Sequence, residues 1–107
     1  MHLSMHNWMR AEPIETTIRR LAKYGYDELE ISSTRPREYD TKEVLRVLEE
    51  NGIRCWGSIT LMVEGRNLVQ GDEGGRAKTV QYLKDTVTMV KELEGYDDYA
   101  MRAQLLW

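Results

Sequence analysis

The chain has 107 residues, 41% of them hydrophobic, which predicts a single domain able to bury a core. Its formal net charge of −3 disfavours nucleic-acid binding driven by charge, and it contains no run of about 18 apolar residues of the kind that spans a membrane. One cysteine excludes a disulfide within the chain, two histidines form no zinc-ligand spacing, and nothing resembles a signal peptide. We therefore expect a cytoplasmic protein.

The first predicted elements are a strand over residues 2–8 and a helix over residues 13–24. The helix has apolar residues at helical spacing, Pro13 in its first turn and Gly25 just past its end, which are the usual places for these two residue types. A second strand is predicted over residues 26–32, because apolar and polar side chains alternate along it.

The same plan repeats further along the chain. A helix is predicted from Asp40, an N-cap residue, to Gly52, and an apolar third strand is predicted over residues 53–62. Residues 64–75 are glycine-rich and polar, which predicts a solvated loop or a flexible lid and not a phosphate-binding loop. Beyond this loop a long helix is predicted, with one apolar stripe made of Ala77, Val80, Leu83, Val87, Val90 and Leu93.

Strands that alternate with helices predict an α/β fold, with a parallel β-sheet built from about three βα units. The residues after Gly95 fit this plan poorly, since residues 96–107 carry two aspartates and an arginine where an apolar strand would come next. We therefore expect one domain over residues 1–107 that ends in a divergent tail.

Ligands of parallel α/β sheets bind at the carboxyl ends of the strands, so polar side chains there are the candidate site. Glu30 lies between Leu29 and Ile31, which must face the helices, and its carboxylate therefore faces the other side of the sheet. A charge in that position needs a partner or a function. Two interpretations stay open: a ligand-binding carboxylate, or one that pairs with Arg10 or Arg54 or lies at a solvated rim.

The other candidate site residues are His6 and Trp8 at the first strand and Trp56 and Ser58 on the third. His6 is a candidate general acid or base, a polar contact for sugar hydroxyls, or a residue that only closes the strand by a hydrogen bond. The indoles of Trp8 and Trp56 suit the C–H faces of a carbohydrate, but packing explains them equally well. These patterns identify no catalytic residue and no metal ligand.

Four stretches of the sequence resemble a known family. "LSMHNWM", "IRRLAKYGYDELEIS", "LEENGIRCWGSITLM" and "RAKTVQYLKDTVTMVKELEG" are similar to the first three βα units of the xylose isomerase-like TIM barrels, the sugar and sugar phosphate isomerases and epimerases. The resemblance covers residues 1 to about 95, and the second strand with its glutamate is the most specific piece. It implies a partial (β/α)₈ barrel, in which His6 and Trp8 match substrate-pocket positions of the first strand and Glu30 matches the carboxylate of the second.

The resemblance also implies what this chain lacks. A TIM barrel needs roughly 250 residues, and in this family the ligands of the divalent metal (Mn, Mg, Co or Zn) and the proton-transferring carboxylates come mainly from later strands. We therefore expect an N-terminal fragment of a metal-dependent sugar or sugar phosphate isomerase or epimerase, inactive alone and without a cofactor of its own. The alternative is a small α/β module without catalysis that forms homo-oligomers through its exposed sheet edges.

Overall fold

The computed structural model describes residues 2–8, 11–60, 66, 68 and 72–93. Strands and helices alternate along these ranges. They are β1 (Ser4–His6), α1 (Ile14–Lys23), β2 (Glu28–Ser32), α2 (Thr41–Asn51), β3 (Arg54–Ile59) and α3 (Glu73–Glu92), with a short 3-10 turn at Pro36–Glu38. No helix among the described residues is long and apolar enough to cross a membrane.

The three strands form one parallel sheet in the order β1, β2, β3. Each strand lies inside the range that the sequence predicts for it; β1 and β3 are shorter than that range at both ends, and β2 is shorter only at its start. The α/β fold with a parallel sheet of three βα units is therefore confirmed. The predicted tail over residues 96–107 lies outside the described residues.

Both ends of α2 are capped by the residues that predicted them, Asp40 and Gly52. At its start, the side chain of Asp40 accepts a hydrogen bond of 3.2 Å from the backbone N–H of Glu43 and so satisfies one of the free donors of the first turn. At its end, Gly52 adopts a φ of +65°. This left-handed conformation is strained for residues with a side chain, which explains why a glycine ends the helix.

The core lies between the helices and one face of the sheet. Leu29, Ile31 and Cys55 are buried on this face and form one cluster with apolar residues of all three helices. The most deeply buried helix members are Ile18 and Leu21 of α1, Val44, Val47 and Leu48 of α2, and Met89 of α3. Full burial of one such side chain contributes roughly 1.5–3 kcal/mol relative to exposure. Burial of this cluster therefore determines which face of the sheet packs against the helices and which face stays open.

The start of α3 differs from the sequence prediction. The helix begins at Glu73, inside the stretch predicted as loop, because the side chain of Asp72 accepts a 2.6 Å hydrogen bond from the Gly75 N–H and caps the first turn. Gly74 and Gly75 are therefore helical, and the prediction of a loop as far as residue 75 is wrong for its last three residues.

The apolar stripe predicted for α3 is not the face that the helix buries. Val80 and Val87 are 41% and 36% exposed, whereas Thr79 and Thr86 are fully buried. The hydroxyls of both threonines donate to backbone carbonyls one turn earlier at 3.0 Å, so these polar side chains enter the interior with their hydrogen bonds made. Only the C-terminal end of the predicted stripe, which includes Val90, reaches the core.

Candidate functional site

A row of side chains crosses the sheet on the face opposite the core. His6 of β1 lies opposite Glu30 of β2 in the parallel register, and Glu30 lies opposite Gly57 of β3. Since Leu29 and Ile31 on either side of Glu30 point into the core, Glu30 points away from it, and paired residues of neighbouring strands share a face. His6 and Glu30 are thus brought together, as the sequence predicted.

A β-bulge brings Trp56 to the same row. The register between β2 and β3 shifts so that Leu29 pairs with Cys55 and Glu30 pairs with Gly57, which leaves Trp56 as the extra residue. Cys55 is buried in the core at 2% exposure. Trp56 follows Cys55 directly and therefore lies on the opposite face, the one that carries Glu30.

The same bulge separates Ser58 from the row. Strict alternation from Trp56 predicts that both side chains lie on one face, but the extra residue reverses the alternation, and Ser58 pairs with Ile31. The Ser58 hydroxyl is buried and donates to the Ile31 carbonyl oxygen at 2.8 Å. Ser58 is therefore a predicted substrate-binding residue that the structure places on the core face, away from His6 and Glu30.

The carboxylate of Glu30 is half-buried without a counter-charge. It makes no hydrogen bond and no ion pair with any residue that the structure describes. Burial alone accordingly raises the pKa of the Glu30 carboxyl above its ordinary value. Of the two ion-pair partners considered from the sequence, Arg54 does not pair with it, and Arg10 lies outside the described residues.

Two buried nitrogen atoms on this face lack a hydrogen-bond partner among the described residues. They are Nδ1 of His6 and Nε1 of Trp56. Nearly all buried polar groups of native proteins are paired, and one left unpaired costs about 1–3 kcal/mol. Together with the half-buried carboxylate of Glu30, these two atoms give this face of the sheet three polar groups whose hydrogen bonds the described residues leave unmade.

Trp8 adds an exposed aromatic surface next to His6. The imidazole and indole rings are stacked, with their centroids 4.5 Å apart and their planes 18° from parallel. The Trp8 side chain remains 51% exposed, so burial in a core is not what places it there. The stack fixes the orientation of the His6 ring and leaves apolar indole surface accessible to a ligand.

Asn7 joins the end of β1 to β2, a role that the sequence analysis did not identify. Its Oδ1 accepts a 2.6 Å hydrogen bond from the Ser32 N–H, its Nδ2 donates to the Tyr39 hydroxyl at 3.3 Å, and its own backbone N–H donates to the Glu30 carbonyl. An asparagine at a predicted strand end was the available signal. Its side-chain partners are 25 and 32 residues away, however, and no local pattern identifies partners at that separation.

The described residues do not assemble a metal site. No three side chains of His, Cys, Asp or Glu lie close enough within the described ranges to share one ion. Zinc sites in proteins take three or four protein ligands, whereas the row offers two candidates, His6 and Glu30.

The fold is shared with solved structures of sugar epimerases. A D-psicose 3-epimerase crystallised in the presence of D-fructose matches with a TM-score of 0.74 and 22% identity, over 88% of this chain and 35% of that chain. D-psicose 3-epimerase from Clostridium cellulolyticum H10, solved with D-tagatose, matches with a TM-score of 0.76 and 21% identity, over 88% and 35% of the two chains. A D-allulose 3-epimerase from Methylomonas sp. in complex with D-allulose gives 0.75 and 20%, over 89% and 34%. The chain is a partial TIM barrel.

The partial barrel spans about a third of the length of these epimerases. The resemblance to xylose isomerase-like TIM barrels is thereby confirmed for the fold, which is all that identities near a fifth show. No protein-family model matches the chain, and neither does any curated protein. The substrate-binding roles of His6, Trp8, Glu30 and Trp56 stay predictions.

Proposed function

We propose that the chain supplies one wall of the sugar-binding pocket of a ketose epimerase or isomerase. The observation that carries this proposal is the row on the open face of the sheet: among the described residues, Glu30 has no counter-charge, and His6 and Trp56 each have a buried nitrogen without a hydrogen-bond partner. The shared fold with epimerases solved with D-fructose, D-tagatose and D-allulose supports a ketose, free or phosphorylated, as the ligand.

A sugar suits this row because each hydroxyl group both donates and accepts hydrogen bonds. The indole N–H of Trp56 requires an acceptor, and the carboxylate of Glu30 requires a donor, so neighbouring hydroxyls of one ketose satisfy both. Nδ1 of His6 accepts or donates according to its tautomer. The exposed ring of Trp8 offers apolar surface to the C–H face of the same sugar.

Turnover requires groups beyond this row. Epimerisation next to a carbonyl removes a proton from carbon, which needs a positioned base and stabilisation of the charge that develops on oxygen. The sequence resemblance implies a divalent metal ion and proton-transferring carboxylates. We propose that these carboxylates, and the side chains that hold the metal ion, lie outside the described residues. The described part of the chain then binds a ketose without converting it.

Ketose titration of two matched variants tests this proposal. Calorimetric titration with D-tagatose and D-fructose should show binding to the wild-type chain and to Glu28→Gln, which changes a carboxylate on the same strand and face. Glu30→Gln should bind about tenfold more weakly, the scale of one hydrogen bond to a charged group, while keeping the circular dichroism spectrum of the folded chain. Equal affinity of Glu30→Gln and wild type, or collapse of its fold, would overturn the assignment of Glu30.

Self-association without catalysis is the second candidate function, and the sheet edges favour it. Within the described sheet, β1 and β3 each pair with one neighbour, β2. An open strand edge presents unpaired N–H and C=O groups that another chain can bind. Light scattering over a range of concentrations decides: a dimer or larger assembly of fixed mass supports this function, and a constant monomer mass excludes it.

A further inference from the structure

A second surface feature, apart from the ketose row, is a cleft between the 3-10 turn that follows β2 and the N-terminal half of α3. Its volume is about 350 Å³, and none of the residues of the row lines it. Among the described residues, its charged lining consists of four cationic side chains and two carboxylates: Arg35, Arg37, Arg66, Lys78, Glu38 and Asp85. The described lining of the cleft is thus positively charged, although the chain as a whole carries a net charge of −3.

Both carboxylates of the cleft are engaged by its own arginines. Asp85 accepts a 2.7 Å hydrogen bond from Arg37, which holds the pKa of the Asp85 carboxyl below its usual value. Glu38 accepts a 3.2 Å hydrogen bond from Arg35. Because each of these two carboxylates is matched by one arginine, the described part of the lining retains an excess of positive charge.

Arg66 is held at the cleft wall in a defined orientation. Its guanidinium carbon lies 3.8 Å from the centroid of the Tyr82 ring, and its Nη2 donates to the Thr34 carbonyl oxygen at 2.7 Å. The Tyr82 hydroxyl in turn shares a 3.2 Å hydrogen bond with the Ser33 hydroxyl, which donates to the Ile59 carbonyl at the end of β3. A cation fixed in this way loses little further freedom when an anion binds.

Lys78 supplies a different kind of positive charge to the same cleft. It is exposed in the second turn of α3, near the helix end that carries partial positive charge. A lysine ammonium acts as a mobile point charge, whereas the guanidinium of Arg66 is a rigid planar donor. The two together suit a compact oxyanion with several acceptor atoms, and a phosphoryl group has that chemistry.

We propose that this basic cleft binds the phosphoryl group of a phosphate monoester. A volume of about 350 Å³ is within the range of small-ligand sites, so the cleft has room for the organic group as well as for the phosphate. This proposal does not rest on the proposed ketose function, because the cleft and the row have no residue in common.

Calorimetric titration with three ligands tests the cleft: inorganic phosphate, D-fructose 6-phosphate and D-fructose. Both phosphate compounds should bind at low ionic strength, with affinities that fall as salt is added. Lys78→Gln should weaken the binding of both by about tenfold, the scale of one hydrogen bond to a charged group, and should leave D-fructose binding unchanged. Lys84→Gln is the control, since Lys84 is exposed on the same helix and does not line the cleft.

The outcomes separate the two sites and the two sources of phosphate. Tighter binding of D-fructose 6-phosphate than of inorganic phosphate, by an amount that Glu30→Gln leaves unchanged, assigns the cleft to a monoester. Equal binding shows that the phosphoryl group is recognised without its organic part and overturns the monoester. Absence of binding by both compounds, or an equal loss in Lys78→Gln and Lys84→Gln, overturns the site. Glu30→Gln should leave the binding of inorganic phosphate unchanged, so failure of the ketose proposal does not affect this test.

Discussion

His6 and Glu30 lie opposite each other in the register between β1 and β2, on the sheet face that points away from the core. Within the part of the chain that the structure describes, His6 has a buried ring nitrogen without a hydrogen-bond partner, and Glu30 has a carboxylate without a counter-charge. Their neighbours in sequence are fixed by packing and by the hydrogen bonds of Asn7. Rigid elements therefore hold two polar groups whose own interactions are incomplete, which is an arrangement suited to ligand binding and costly for stability.

Replacing Glu30 by glutamine is expected to stabilise the chain at neutral pH. Burial raises the pKa of the Glu30 carboxyl, so the folded chain binds this proton more tightly than the unfolded chain. The free energy of unfolding of the wild type therefore falls as pH rises from the ordinary carboxyl pKa through the raised one. Urea unfolding of both proteins between about pH 4 and pH 8 should show an advantage of Glu30→Gln that grows over this window and then levels. An advantage independent of pH would contradict the burial of the carboxylate.

Asn7→Ala is expected to cost about 1–3 kcal/mol of stability, because it leaves the partly buried Ser32 N–H without its acceptor. Asn7→Asp keeps an oxygen acceptor for that N–H and loses the donor to Tyr39, so it should recover much of the loss. Chemical unfolding of the two variants measures the difference. If alanine and aspartate prove equally costly, the hydrogen bond to Ser32 is not what holds β1 against β2.

The orientation of α3 can be tested by exchanging valines for the near-isosteric threonine. Val80→Thr and Val87→Thr should each change the free energy of unfolding by less than about 0.5 kcal/mol, since both side chains are partly exposed. Val47→Thr is the control: its side chain is fully buried, and loss of one methyl group from the apolar core there should cost about 1 kcal/mol even when the hydroxyl bonds to a backbone carbonyl one turn earlier. Losses at positions 80 and 87 equal to that at position 47 would show that the predicted stripe is buried after all.

Substitution by alanine should have opposite effects on the stability of the chain at two of its glycines. Gly52→Ala forces a side chain into a φ of +65° and should destabilise the chain by about 1 kcal/mol. Gly74→Ala lies in the first turn of α3, where the added methyl meets only the Asp72 carboxylate at 3.6 Å, and should be neutral or stabilising by a few tenths of a kcal/mol. Thermal unfolding checks both signs. Destabilisation at position 74 would show that α3 does not begin before it.

Cys55 is expected to be unreactive in the folded chain. Burial raises the pKa of its thiol to about 12, and the side chain is 2% exposed in the core. The nucleophilic thiolate is therefore both scarce and inaccessible. A thiol-specific reagent at about pH 8 should label Cys55 rapidly only in denaturant. Rapid labelling of the folded chain would contradict its place in the core.

Local chemistry predicted most of the fold. The N-cap at Asp40, the left-handed glycine at position 52 and the alternation around Leu29 and Ile31 each depend on residues close together in sequence, and each is confirmed. The buried face of α3 could not be predicted from residues close together in sequence. Periodicity counts apolar residues, whereas this helix buries threonines whose hydroxyls are satisfied by its own backbone.

The candidate site was predictable only in part, for the same physical reason. Alternation placed Glu30 correctly on the open face, since the extra residue of the bulge lies in β3 and β2 itself alternates between buried Leu29 and Ile31. The same alternation placed Ser58 wrongly on the face that carries Trp56. The bulge that separates them arises from pairing with another strand, and a sequence does not show it. The hydrogen bond from Asn7 to Tyr39 and the stacking of Arg66 on Tyr82 likewise depend on tertiary contacts.

The indole N–H resonance of Trp56 in a heteronuclear NMR spectrum tests the central claim most directly. The chain has three tryptophans, and Trp56→Phe identifies the resonance to follow. On addition of D-tagatose, the Trp56 indole signal should shift along a saturable curve, because the Nε1–H, which has no acceptor among the described residues, then donates to a sugar hydroxyl. Glycerol at the same concentration should leave the signal in place. A Trp56 indole signal that D-tagatose does not move would contradict a ketose site on this face of the sheet.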